Sequence, residues 1–295
     1  MARIGTVAVM SPGEMGHAVA KVLRAQGLRV ITCLDGRSAR TRTLAAAAGI
    51  EEVGSDAALV AEADLVLSIL VPAQALPLAE RIAGALRAGA GATLYVDCNA
   101  IAPQTARWVG EVIEGAGGRF VDAGIIGPPP TAESGGTRFY ASGAAAQELT
   151  RLCDYGLDVR VVGERAGDAS AVKMCYAALT KGTTAIMTEL LVAAARLGVA
   201  DALRDELALS QAAMVARMEK GVPAMVPKAH RWVGEMEEIA ATFAAVGLTP
   251  ATFEGAAALY AFVAGTALGQ SSPEEWRQAG GSFEQVIAAL AQVQA

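Results

Sequence analysis

Val7-Ala8-Val9-Met10-Ser11-Pro12-Gly13-Glu14-Met15-Gly16 reads as a short apolar strand, a tight turn and the start of a helix. The first N–H groups of a helix have no intrahelical partners, and the positive end of its dipole points outward there. Phosphate is a natural guest at such a junction. Gly13 lets the backbone approach a pyrophosphate, and Gly16 lets the helix pack closely on its strand. Ser11 stands where a G-x-G-x-x-G loop has its first glycine, so the fingerprint is incomplete, but its hydroxyl can donate to a phosphate. Ser11, Pro12, Gly13, Glu14 and Met15 are therefore the expected dinucleotide loop.

Outward from this loop the chain alternates. A helix over 13–26 is stopped by Gly27, residues 28–34 are again β-branched and apolar, and a helix follows through Ala48. Further strands are expected at 64–71, 93–98, 119–123 and 159–162, with helices at 79–86 and 105–114. Apolar strands separated by helices imply a parallel sheet covered on both faces. Residues 1–164 are expected to form a Rossmann-type, doubly wound α/β domain. The pattern changes near Gly163. A long Ala- and Met-rich helix is predicted from Ala166 to about Leu197, then helices over 201–220, 227–245, 252–268 and 283–293. Residues 165–295 read as an all-helical domain.

Composition narrows the function. Of 295 residues 53% are hydrophobic and 18% charged, which permits a sizeable core, and the net charge of −6 carries no basic tract for nucleic acid. Cys33, Cys98, Cys153 and Cys175 form no C-x-x-C pair, and His17 and His230 are the only histidines, so no metal site is expected. Scattered cysteines of this kind suit the cytoplasm. The opening Met1-Ala2-Arg3-Ile4-Gly5 leads into an apolar run too short for a signal peptide. The longest uncharged stretch, 255–273, contains Gly, Thr, Gln and Ser and reads as a buried helix with its exit loop. The expectation is a soluble protein with no membrane partner.

The end of the second strand bears on which dinucleotide is bound. It reads Leu34-Asp35-Gly36-Arg37-Ser38-Ala39-Arg40-Thr41-Arg42. Asp35 lies about twenty residues beyond the loop, where a carboxylate takes the ribose hydroxyls of NAD. Arg37 beside Ser38 suits a 2′-phosphate, held by charge-assisted bidentate bonds. The alternative is a solvated helix start with Ser38 as N-cap. NADP is favoured over NAD.

Several ordered motifs make the chain resemble the β-hydroxyacid dehydrogenase superfamily of hydroxyisobutyrate, glyoxylate-reductase and phosphogluconate enzymes. Residues 11–16 are similar to its G-x-G-x-M-G loop, and Ala63-Asp64-Leu65-Val66-Leu67-Ser68-Ile69-Leu70-Val71-Pro72 to its third strand. Val96-Asp97-Cys98-Asn99-Ala100-Ile101-Ala102-Pro103 resembles D-x-S-T-I-x-P, and Asp122-Ala123-Gly124-Ile125-Ile126-Gly127 stands where D-A-P-V-S-G is expected. Gly167-Asp168-Ala169-Ser170-Ala171-Val172-Lys173 is similar to G-x-G-x-x-x-K, with Ala169 at the second glycine. The resemblance covers nearly the whole chain and points to a poorly characterised branch with a K-M-x-Y-A-x-x-T-K-G helix.

The resemblance implies Lys173 as general acid/base, where without it the residue would read as a surface lysine that snorkels. It implies Leu70, Val71, Pro72 and Asn99 beside the nicotinamide. Asn99, Ala100, Gly124, Ile126, Gly127 and Tyr176 are implied to touch substrate, and the helical domain is implied to serve substrate binding and to form a homodimer. The departures bear on the substrate. The asparagine four residues after the lysine is Ala177, the serine of V-S-G is Ile126, its second glycine is Pro128, and the substrate motif begins Asn99-Ala100. Groups that would hold a small carboxylate are lost, so a bulkier or less anionic substrate is expected. In the helical half His230 and Arg231 are further candidates for substrate contact, whereas His17 reads as a surface or packing residue. Hydride transfer between a nicotinamide and a small hydroxy or carbonyl compound is the leading expectation. Imine reduction and a non-catalytic NADP sensor are the rivals.

Overall fold

The computed structural model describes residues 3–89, 93–131 and 136–293, so Met1 and Ala2, on which the reading of the N-terminus leans, lie outside them. Eight strands, β1 (Thr6–Met10), β2 (Arg29–Thr32), β3 (Glu51–Glu52), β4 (Leu65–Ser68), β5 (Leu94–Asp97), β6 (Arg119–Ile126), β7 (Arg138–Ser142) and β8 (Asp158–Gly163), form one sheet. Their order is β3-β2-β1-β4-β5-β6-β7-β8. The order reverses at β1, where the chain passes first to β2 and later to β4 on the other side. That reversal is the switch point at which an open α/β sheet leaves a crevice beyond its strand ends.

The strands are apolar because both faces are covered. Val7 and Val9 pack into one core and Ala8 and Met10 into the other, as the two-residue period of a strand demands. Helices Glu14–Ala25, Ala75–Ala88 and Pro103–Glu114 supply buried stripes of Val, Leu, Ile and Ala to these layers.

Some expectations need correction. The sheet is not wholly parallel, because β7 runs antiparallel to β6. A parallel return needs a crossover of a dozen or more residues, and the described residues between Ile126 and Arg138 carry no helix. Strands β3 and β7 and helix Asp56–Glu62, capped by Ser55, were not anticipated. The helix expected over 201–220 is two, Ala200–Ser210 and Ala212–Met225, because Gln211 leaves helical geometry at φ −138°.

The chain divides into two compact units, Met1–Met174 and Cys175–Ala295, and the division falls inside helix Asp168–Arg196. The second unit continues with Ala229–Ala244, Ala251–Gly265, Pro273–Ala279 and Phe283–Gln292. Its described residues contain no strand. Among the described residues no helix is long and apolar enough to cross a membrane, and no cluster of His, Cys, Asp and Glu is arranged to hold a metal.

Candidate active site

β1 delivers the chain into the loop at the switch point. Ser11 has φ +50°, which no other described non-glycine residue shares. This is the conformation a first glycine would adopt without cost. The Ser11 hydroxyl is buried with no hydrogen-bond partner. Gly13 is the N-cap of helix Glu14–Ala25, no side chain caps that helix, and a Cβ built on Gly13 would meet nothing within 4 Å. Protein packing therefore does not demand the glycine, whereas a group lying against the loop would. A Cβ on Gly16 would sit 3.4 Å from Val9, so that glycine serves the helix–strand contact. Pro12 is buried and Met15 packs on the core. His17 Nδ1 lies 2.9 Å from the Gly13 carbonyl, which ties it to the turn. A bare helix start, an orphaned hydroxyl and an open Cβ position fit a dinucleotide pyrophosphate.

At the end of β2, Asp35 is exposed and Ser38 caps the next helix by accepting from Thr41 N at 3.2 Å. Arg42 is committed to the Leu34 carbonyl at 2.7 Å and to Glu52, while Arg40 lies 3.9 Å from Glu14. Arg37 is half-buried, and burial followed by the charge of Arg81 lowers its pKa, with Asp56 opposing. Asp56 already grips Arg81 through contacts of 2.7 and 3.0 Å.

Asn99 is buried, and its side chain joins two strand ends. Its Oδ1 accepts from Leu70 N at 2.5 Å, while Nδ2 donates to Ser68 Oγ and Asp97 Oδ2, each at 2.8 Å. The amide expected to touch ligand holds the Leu70–Val71–Pro72 turn at the end of β4. Val71 is exposed on that turn, an apolar surface of the kind a nicotinamide ring packs against. Ala100 is half-buried next in line.

Lys173 is brought to the end of β6 by close backbone approach. A Cβ on Gly124 would lie 2.8 Å from Lys173 Cβ and 3.0 Å from the Ala169 carbonyl, so only glycine admits the helix here. Lys173 Nζ donates to the Ile125 carbonyl at 2.6 Å. Ile126 is buried within β6, whereas Gly127 is exposed beyond it at φ +128°. Cys98 is buried, and its thiol pKa is pushed well up by burial, then by Asp97 and Asp122.

In the helical unit Tyr176 is exposed. A cluster not anticipated from the sequence surrounds Lys181, which pairs with Glu235 and lies 5.2 Å over the Trp232 ring. Tyr260 donates to the Lys181 carbonyl at 2.6 Å, and Arg231 approaches Glu235 at 3.7 Å. His230 is exposed, its pKa lowered by partial desolvation and then by Arg231. The dense polar and aromatic run 230–238 was the available signal, but nothing in the sequence named Lys181 as its partner.

Comparison with known proteins places the fold and the family. Residues 6–153 match the family described as the NAD binding domain of 6-phosphogluconate dehydrogenase, and residues 194–263 match a domain of unknown function, DUF1932. One similar structure is conserved protein MTH1747, described as of unknown function with structural similarity to 3-hydroxyacid dehydrogenases. It is 30% identical, covers 90% of this chain and 100% of its own, and has a TM-score of 0.64. The fold is shared with Mycobacterium tuberculosis 3-hydroxyisobutyrate dehydrogenase, at 22% identity, coverage of 97% and 99%, and a TM-score of 0.67. It is also shared with Streptomyces aurantiacus imine reductase, at 20% identity, coverage of 96% and 98%, and a TM-score of 0.56. The chain belongs to the family of the 6-phosphogluconate dehydrogenase NAD-binding domain, and with it to the NAD(P)-dependent dehydrogenases and reductases.

Proposed function

We propose that the protein is an NADP-preferring reductase or dehydrogenase of a small carbonyl or hydroxy compound, with Lys173 as its general acid/base. The observation that carries this reading is the Lys173 ammonium, held at 2.6 Å by the Ile125 carbonyl at the carboxyl end of β6. Bound nicotinamide would supply or accept the hydride. Ser11 and the open face of Gly13 would receive the pyrophosphate, and the turn at Leu70–Pro72 would flank the ring. Lys173 donates a proton to the substrate's oxygen during reduction and takes it back in oxidation. The guanidinium of Arg37 beside Ser38 supports a 2′-phosphate, against the carboxylate of Asp35. Tyr176, Gly127 and Ala100 are the substrate contacts of this reading, with His230 and Arg231 further candidates. A second copy of the chain is the expected partner, because Leu179, Ile186, Leu197 and Leu209 of the helical unit are each more than half exposed. Four free cysteines suit the cytoplasm.

A second reading, reduction of C=N, is favoured by one feature. Ile126 and Pro128 stand where the resembling family has a serine and a glycine, so the serine hydroxyl that would hold a substrate carboxylate is lost. The test is NADPH oxidation against a panel of ketones, 2- and 3-oxoacids and cyclic imines. Lys173→Ala is expected to lower turnover on any accepted substrate by about 10²–10⁴-fold. Arg37→Ala should weaken NADPH about tenfold while leaving NADH nearly unchanged. Equal losses for both cofactors would remove the 2′-phosphate site. Tight NADPH binding without turnover on any class would replace catalysis with sensing.

A further inference from the structure

A row of buried polar side chains crosses the sheet at its carboxyl end. Ser68 of β4 is in register with Asp97 of β5, Asp97 with Asp122 of β6, and Asp122 with Ser142 of β7. All four are fully buried. Placing polar groups at the bottom of a crevice costs solvation, so each must be repaid by hydrogen bonds. Ser68 and Asp97 are engaged by Asn99, on the side of the Leu70 turn. Asp122 and Ser142 face the other way in function: they hold the start of the helix that carries Lys173.

The carboxylate of Asp122 takes four donors. Its Oδ2 accepts from Gly167 N at 2.9 Å, Ser170 N at 3.0 Å and Ser142 Oγ at 2.9 Å. Its Oδ1 accepts from Ser170 Oγ at 2.6 Å. Ser142 Oγ in turn accepts from Ala169 N at 2.9 Å. Three otherwise orphaned N–H groups at the beginning of helix Asp168–Arg196 are thus satisfied from the sheet, and no ion pair among the described residues involves Asp122. Negative charge is favoured at this end of a helix. One turn on, the helix touches Gly124 and offers Lys173 to the Ile125 carbonyl. Asp122 and Ile125 belong to the same strand, so the cap and the lysine's acceptor are fixed by one element.

We infer that Asp122 is the positioning residue for Lys173: it sets the height and rotation of the first turn, and thereby where the ammonium stands. This rests on the reading of Lys173 as proton carrier and adds the group that places it. Asparagine at this position retains an acceptor for the two backbone donors, and the Ser170 hydroxyl can turn to accept from its amide. Alanine retains neither.

The experiment uses the full-length protein with two readouts that need no substrate. Hydrogen exchange of peptides covering 163–176 reports the cap, and competitive acetylation by acetic anhydride as a function of pH reports the reactivity and titration of Lys173. Asp122→Ala is expected to speed exchange of the first-turn amides about tenfold or more and to shift the Lys173 titration, with Asp122→Asn within about threefold of wild type. Where Asp122→Ala does not fold, Ser142→Ala, which deletes only the hydroxyl between Asp122 and Ala169 N, is expected to show a smaller change in the same direction. Unchanged exchange and unchanged Lys173 labelling in the alanine variant that folds would overturn the inference, as would an asparagine variant as perturbed as Asp122→Ala. If Lys173→Ala keeps full turnover, the proton-carrier reading fails while the exchange result still decides the cap.

Discussion

Asp122 in the sheet unit and Glu235 in the helical unit are both buried carboxylates, yet they are kept buried by different means. Asp122 is surrounded by hydroxyl and backbone donors at a helix start and meets no cation among the described residues. Glu235 is neutralised by Lys181 and approached by Arg231, with Trp232 beneath the ammonium. A carboxylate satisfied by fixed backbone dipoles has one geometry, because the donors belong to a rigid helix end. A carboxylate satisfied by a long flexible side chain is neutral but less exacting about where its partner's backbone lies. The first arrangement suits placing a reactive group. The second suits joining helix Asp168–Arg196 to helix Ala229–Ala244 within the helical unit.

The largest effect separating the two should come from breaking the ion pair one-sidedly. Lys181→Met leaves Glu235 buried and is expected to cost about 3–5 kcal/mol in denaturant unfolding, with most of the loss recovered when Glu235→Leu is added. A single variant within about 1 kcal/mol of wild type would show that the pair is not desolvated. Next, Asp122→Ala should cost about 2–4 kcal/mol through orphaned backbone donors, and Asp122→Asn only about 1 kcal/mol. An asparagine variant as unstable as Asp122→Ala would mean that charge, and not acceptor geometry, matters at this helix start. The smallest effect is chemical. Cys153 and Cys175 are exposed, whereas Cys33 and Cys98 are buried, and burial followed by the carboxylates of Asp97 and Asp122 keeps the Cys98 thiol protonated. An aromatic disulfide reagent should therefore titrate two thiols quickly in the native protein and the other two only after unfolding. Fast reaction of Cys98 would mean that the crevice floor is open to solvent.

The same contrast explains what the sequence could reveal. The strand–turn–helix junction after β1 was legible because its parts are contiguous, and because a change from two-residue to helical periodicity marks it locally. Lys173 was singled out only through its motif, without which it is one lysine among Ala, Val and Met. The roles of Asp122 and Asn99 were not legible. Asp122 meets Gly167 across 45 residues and Ser170 across 48, while Asn99 meets Leu70 across 29. Contacts of that span leave no period in the chain, and an asparagine in a ligand motif reads as a ligand contact even when its amide is engaged by neighbouring strands. Lys181 and Glu235, 54 residues apart, were missed for the same reason. Strand β7 was hidden because Arg138-Phe139-Tyr140-Ala141-Ser142 follows a Gly- and Pro-rich segment and no helix, so the expected alternation of strands and helices had no place for it.

Calorimetric titration of NADPH into wild type and Gly13→Val tests most directly whether a nicotinamide dinucleotide lies against the loop after β1. A Cβ at Gly13 meets no protein atom within 4 Å, and a poorer N-cap costs the helix only about 1–2 kcal/mol, so the variant should stay folded. The prediction is saturable heat for wild type and its disappearance in a variant that still melts cooperatively. Binding of equal strength in both proteins, or no heat from either, would contradict it.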